Sequence, residues 1–237
     1  MRMYRVGCSG WYYQHWSGRF YRGVAKNKWF EHYARSFDTV ELNSTFYHFP
    51  RESTARGWYR KAPEGFAYTL KANRVITHIK RFSGTKTLVR DFCRVADVLG
   101  EKLGCILFQL PPSVHYSREK LDGILSQLDP GKRNVLEFRH RSWWNEDVYR
   151  ELREMGVIFC IVSAGGLPDD FVKTSRDTYV RFHGREWYSY SYSRSELMSF
   201  SDKIRKSGAR NAWCYFNNDF NCYAVDNALQ LRGFLER

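Results

Sequence analysis

Short apolar runs alternate with amphipathic stretches along the whole chain. The runs predict strands at Tyr4–Cys8, Thr39–Asn43, Phe66–Lys71, Gly104–Gln109, Asn134–Arg139, Val157–Val162, Tyr179–His183 and Ala212–Phe216. Between them, apolar residues recur at helical spacing. Trp29, Phe30, Tyr33 and Phe37 share one face of a helix over Lys28–Phe37. Leu88, Phe92, Val95, Ala96 and Leu99 do the same over Lys86–Leu99, with Gly100 as the stop. Further helices are predicted from Ser53, as cap, to Lys61, from Ser117 to Leu128, and over Trp144–Met155, Arg194–Lys206 and Val225–Leu235. Ser193 and Glu196 have the spacing of a capping box. Ala72 to Gly84 reads as a long loop. Ser163 to Asp177, with Gly165-Gly166, Pro168 and Asp169-Asp170, reads as a loop or single turn where a helix would otherwise stand.

Eight strands separated mostly by helices predict an α/β protein, a single (β/α)8 TIM barrel, irregular between strands six and seven. No linker or internal repeat divides the chain, so one domain is expected over residues 1–237. A doubly wound open sheet is the alternative topology. It leaves unexplained why so many strands end in polar residues at alternate positions.

Those alternate positions carry the candidate chemistry. In Val40 to Asn43, Val40 and Leu42 share one face and Glu41 and Asn43 the other. In Val135 to Arg139, Leu136 and Phe138 oppose Glu137 and Arg139. A carboxylate inside an apolar strand is costly to bury unless it is paired. A barrel gives such strands a common centre, with the site at their carboxyl ends. Letting the apolar faces meet the helices turns Ser9, Glu41, Asn43, Lys71, Gln109, Glu137, Arg139, Arg181, His183, Tyr215 and Asn217 inward at one mouth. The alternative is an internal ion-pair network, Glu41–Lys71 and Glu137–Arg139, that only closes the barrel.

Composition adds a sign. Lys and Arg number 38 against 25 Asp and Glu, a net charge of +13, spread along the chain and not gathered in one tail. The excess favours an anionic partner, a small molecule or nucleic acid. The six cysteines form no C-x-x-C pair, and Cys8, Cys105, Cys160 and Cys214 fall in apolar runs. They read as buried thiols of a reducing compartment, and a cytoplasmic protein is expected. No apolar run has membrane-spanning length and no signal peptide precedes the first strand, so no membrane partner is expected.

The motifs Gly7-Cys8-Ser9-Gly10-Trp11, Val40-Glu41-Leu42-Asn43-Ser44-Thr45-Phe46-Tyr47, Phe108-Gln109-Leu110-Pro111-Pro112, Glu137-Phe138-Arg139-His140, Arg181-Phe182-His183-Gly184 and Tyr215-Phe216-Asn217-Asn218 occur in this order. Together they resemble the DUF72 (YecE-like) family, over essentially the whole chain. The resemblance implies a TIM barrel. The family is poorly characterised; kinship with endonuclease-type barrels and a DNA-binding role have been suggested for it.

The residues themselves point to an enzyme acting on a phosphate-containing ligand, by hydrolysis or isomerisation, at the carboxyl-end mouth. Glu41 and Glu137 are the candidate acid–base pair, their pKa values split by different cation neighbours. Lys71 is a candidate base or Schiff-base nucleophile, and His183 a proton carrier. Arg139 and Arg181 offer planar forks for the anion, with Arg74, His78 and Arg81 adding positive charge nearby. Ser9, Trp11, Asn43, Tyr47, Gln109 and Asn217 are candidate ligand contacts. The loop aromatics Trp11, Tyr12, Trp16, Tyr47, Trp143 and Trp187 could stack a base or sugar ring. A divalent metal on Glu41, Glu137 and His183 fits by ligand type. No H-x-H motif supports it, and no cofactor is expected. The alternative is a nucleic-acid-binding barrel, with or without chemistry.

Overall fold

A computed structural model describes residues 2–236. Eight parallel strands follow one another around a barrel: β1 (Met3–Cys8), β2 (Thr39–Leu42), β3 (Ala67–Lys71), β4 (Leu103–Gln109), β5 (Asn134–Glu137), β6 (Ile158–Ala164), β7 (Thr178–Gly184) and β8 (Asn211–Phe216). The order is the (β/α)8 order, and the open-sheet alternative is excluded. Helices α1 (Trp29–Ser36), α2 (Ser44–Tyr47), α3 (Glu52–Lys61), α4 (Lys86–Asp97), α5 (Arg118–Leu125), α6 (Glu146–Glu154), α7 (Arg194–Lys206) and α8 (Tyr223–Leu235) occupy the connections. Among the described residues, no helix is long and apolar enough to cross a membrane.

Two apolar clusters follow from period-two alternation. Val40, Leu42, Leu70, Phe108, Leu136, Val180 and Phe182 point outward against the helices. Cys105, Leu107, Val135, Cys160, Tyr179, Trp213 and Tyr215 fill the barrel. The Trp213 ring lies across the bottom of the barrel, where a Cβ on Gly104 would come within 2.7 Å of it. The large ring on one strand requires the missing side chain on the other.

The barrel closes by side chains at one seam. The ladder runs from β1 through β8 and back round to β2, and β1 and β2 share no backbone ladder. Instead the Tyr33 hydroxyl accepts from the Cys8 N–H at 2.8 Å and donates to the Thr39 carbonyl at 2.9 Å. Arg5 spans the foot of the seam to Asp38 at 2.6 Å and to the Gly65 carbonyl at 2.6 Å. Gly7 permits the approach, because a Cβ there would stand 2.3 Å from the Thr39 carbonyl oxygen.

The local expectations hold with a few corrections. Between β6 and β7 there is no helix. Ser117 caps α5 through the Lys120 N–H, and Ser193 with Glu196 completes the capping box of α7. Ser53 does not cap α3, which begins one residue earlier at Glu52 and has no side-chain cap. Asn145, unnoticed in the sequence, caps α6 through the Val148 N–H. The expected loop after β3 contains a π-helical turn, Val75–Ile79. Such turns are rare and concentrate near functional sites. All six cysteines are buried and unpaired.

Candidate active site

The inward residues expected at the strand ends meet at the carboxyl-end mouth, and Arg181 on β7 is the hub. It is fully buried, and it donates through Nη2 to Glu41 at 2.6 Å and through Nη1 to Glu137 at 2.7 Å. One guanidinium thus bridges two carboxylates from opposite sides of the barrel. Glu41 also accepts from the Ser9 hydroxyl at 2.8 Å and from the Tyr179 hydroxyl. Glu137 also accepts from Arg139 Nε. Of the two pairs in the alternative closing network, Glu137–Arg139 is present and Glu41–Lys71 is not among the described residues: Glu41 is paired with Arg181 instead.

Below this layer the Tyr215 hydroxyl bonds to Thr39 at 2.6 Å and to Thr69 at 2.9 Å. Tyr215 therefore belongs to the barrel floor and not to the mouth. Tyr179, missed in the sequence because a tyrosine in a strand reads as core, is the direct support of Glu41. Its alternation with Arg181 on β7 was the available signal.

Above the carboxylates stand the groups with free capacity. Arg139 donates through Nη2 to His183 Nε2 at 2.9 Å, and its guanidinium lies 4.8 Å from the Trp187 ring centre. The other ring nitrogen, Nδ1, meets Asn217 Nδ2 at 3.2 Å, so His183 lies between two side-chain N–H groups. Asn43 donates to the Ser9 carbonyl at 3.3 Å, while its own Oδ1 is buried without a partner. Gln109 lies half-buried beside Glu137 in the sheet register.

Lys71 ends β3 at the same mouth with 9% exposure. It forms no ion pair within 4.0 Å among the described residues, and its ammonium lies 4.3 Å from the Phe46 ring centre. Phe46 was missed in the sequence, where only its neighbour Tyr47 drew notice. Tyr47 is 61% exposed and touches Phe46, not the ion network. His78, on the π-helical turn, packs edge-on against the same Phe46 ring at 4.8 Å.

The electrostatics separate fixed from movable charge. Burial alone would raise the Glu137 carboxyl, but Arg139, Arg181, His183 and Lys71 more than offset it and hold it far below the usual range. Burial and the neighbouring Arg181 and Arg139 keep His183 neutral, well below its ordinary value. Burial, then Lys71, lowers His78 to about 4. Burial and then Arg181 lower Lys71 to about 8, although Glu137 and Glu41 pull the other way. Lys71 is therefore the one group of this network placed to change protonation near neutral pH.

The aromatic set divides. Trp11, Tyr12 and Trp187 line the mouth and its margin. Trp16 and Trp143 are fully buried: Trp16 donates to the Asp219 carbonyl, and Trp143 donates to the Val114 carbonyl and stacks on Phe138 at 4.2 Å. Those two are core, because their loops turn back over the barrel rim. Arg74 and Arg81 point to solvent.

As a metal set, Glu41, Glu137 and His183 do not fit. Arg181 separates the two carboxylates, and His183 Nε2 already accepts from Arg139. No group of three or more His, Cys, Asp or Glu side chains arranged to hold a metal occurs among the described residues.

The family described as "Protein of unknown function DUF72" matches residues 5–237 of the chain. The UPF0759 protein YunF of Bacillus subtilis (strain 168) is 25% identical over 250 residues, covering 90% of this chain and 88% of that protein. A crystal structure of a DUF72 family protein from Thermotoga maritima MSB8 superposes with a TM-score of 0.90 at 29% identity, over 100% of both chains. Another, from Enterococcus faecalis V583, superposes at 0.85 with 20% identity over 99% of this chain and 96% of that one, and so shares the fold.

Proposed function

The chain belongs to the DUF72 family, and from that premise we propose that its barrel mouth is the active site of an enzyme acting on a phosphate-bearing anion, by hydrolysis or isomerisation. The observation that carries this reading is Lys71. Every other charge of the inner network is matched: Arg181 by Glu41 and Glu137, and Arg139 by Glu137. The ammonium of Lys71 is the charge left over, in a setting where burial strengthens its attraction for an anion.

In this reading the ligand's phosphate is held by Lys71 and by the free edge of Arg139. Gln109, Asn43 and Asn217 supply neutral contacts. Lys71, with a pKa of about 8, exists partly as free amine near neutral pH and is the proton acceptor or amine nucleophile. Glu137 acts as a fixed anion, held far below the usual carboxyl range by its cation neighbours. Fully buried, Glu41 and Glu137 fix the position of Arg181, and Glu137 that of Arg139. His183 positions Arg139 and Asn217. The chemistry requires no cofactor, and the six unpaired thiols suit a reducing cytoplasm. The nucleic-acid alternative rests on the net charge, which is spread along the chain, and on loop aromatics that would stack bases; neither needs the unmatched ammonium of Lys71.

The test is thermal unfolding with rising inorganic phosphate, for the wild type and Lys71→Met, together with a turnover screen of phosphorylated small molecules. Phosphate at a hundred times its Kd should stabilise the wild type by about 2.7 kcal/mol and leave Lys71→Met unmoved. Equal stabilisation of both would sink the assignment of the phosphate to this mouth.

A further inference from the structure

The mouth continues outward into an aromatic groove. A cavity of about 350 Å³ opens beside the ends of β1 and β2, lined by Ser9, Trp11, Tyr12, Asn43 and Trp58 among others. A second, of about 430 Å³, shares Trp11, Tyr12 and Trp58 with it and extends to Lys26 and Lys61. The inner end touches the ion network directly, since Ser9 donates to Glu41 and Asn43 donates to Ser9. No carboxylate lines either cavity.

Three features mark the groove as built for a ring. Its walls are indole and phenol faces, the surfaces on which planar or sugar rings stack. Those walls are held in place: the Tyr21 hydroxyl donates to the Trp11 carbonyl and the Tyr13 hydroxyl to the Ser9 carbonyl, each at 2.5 Å. Tyr12, by contrast, is 62% exposed, an aromatic face left open to solvent on a fixed loop. At the inner end, Asn43 Oδ1 is a buried acceptor with no donor among the described residues. A buried acceptor of that kind calls for an N–H or O–H from whatever fills the cavity.

We propose that this groove is the base subsite for a nucleoside monophosphate. The phosphate lies at the mouth on Lys71 and Arg139, the base lies against Trp11, Tyr12 and Trp58, and an N–H of the base donates to Asn43 Oδ1. Lys26 and Lys61, neither of them in an ion pair within 4.0 Å among the described residues, add positive charge at the outer end. The phosphate half of this assignment rests on the reading of the mouth given above; the ring half rests on the groove.

Calorimetric titration of the intact protein with inorganic phosphate, ribose 5-phosphate, the nucleoside 5′-monophosphates and the unphosphorylated nucleosides tests both halves. Nucleotides should bind about tenfold more tightly than ribose 5-phosphate. Tyr12→Ala, at an exposed position, should remove that margin and leave the affinity for inorganic phosphate unchanged. Ribose 5-phosphate binding as tightly as nucleotides, with Tyr12→Ala silent, would overturn the base subsite and leave the phosphate site standing. Nucleosides that bind and lose affinity in Tyr12→Ala, with phosphate ignored by the wild type, would support the base subsite and overturn the mouth. A short single strand binding more tightly than any mononucleotide, and losing that binding in Tyr12→Ala, would overturn the small-molecule occupant in favour of a polymer.

Discussion

The ammonium of Lys71 lies 4.3 Å from the centre of the Phe46 ring, an aromatic face where a buried lysine ordinarily has a carboxylate. The ring attracts the cation but does not neutralise it. This is why burial and Arg181 together bring the amine down to about 8.

If the free amine is the working form, turnover rises with pH and levels off above about 8. Affinity for a phosphate anion should fall over the same range, as the ammonium is lost. A pH profile of kcat and a phosphate titration at matched pH values give the two curves, and a kcat that stays flat from pH 6 to 9 would remove Lys71 from the chemistry.

Stability carries the same signature. Between about 8 and the ordinary value of 10.5 the unfolded chain binds a proton that the folded chain has released. Stability attributable to Lys71 therefore rises with pH through that window. Lys71→Met should abolish the rise and should stabilise the fold at neutral pH by about 1–2 kcal/mol, the common exchange of stability for function. Urea unfolding at pH 7 and pH 9.5 measures both effects.

Glu137 titrates in the opposite sense. Its folded carboxyl is held far below the ordinary value of 4.5. The stability it contributes is complete above that value and is lost as pH falls below it. Glu137→Gln should cost about 3–5 kcal/mol at pH 7, because Arg139 and Arg181 lose a buried counter-charge. The gap between variant and wild type should narrow as pH drops from 5 to 3. A constant gap would mean that Glu137 is not the anion the geometry makes it.

Arg181 is the converse case. Arg181→Met strands two buried carboxylates and should destabilise by about 3–5 kcal/mol. Adding Glu41→Gln, Glu137→Gln and Arg139→Met should recover a large part of that loss, since a neutral set of similar volume then replaces the paired charges. Chemical denaturation of the single and quadruple variants decides it; no recovery would show that the network's hydrogen bonds outweigh its charges.

At its centre the seam between β1 and β2 is bridged by the Tyr33 phenol. Tyr33→Phe leaves the Cys8 N–H buried without an acceptor and should cost about 1–3 kcal/mol. Amide exchange at Cys8 and Ser9 should quicken with it. Unchanged exchange would mean that the seam closes without Tyr33.

The sequence by itself determined the barrel and the ring of polar strand ends. Apolar alternation has only one way to bury its stripe in a strand that packs on a helix, so Val40 and Leu42 had to face outward and Glu41 inward. The capping of α5 and α7 was equally legible, because a cap acts over three residues. What the tertiary structure decided was which inward groups meet. Arg181 reaches Glu41 across 140 positions of chain, and nothing local distinguishes that partner from Lys71, the nearer cation by sequence. Trp16 and Trp143 looked like loop aromatics and became core, because whether a loop folds outward or over the rim is set by the surface it can bury. The unmatched charge of Lys71 was decided in the same way: the residue type and its strand were written in the sequence, but the charge is unmatched because Arg181 takes both carboxylates.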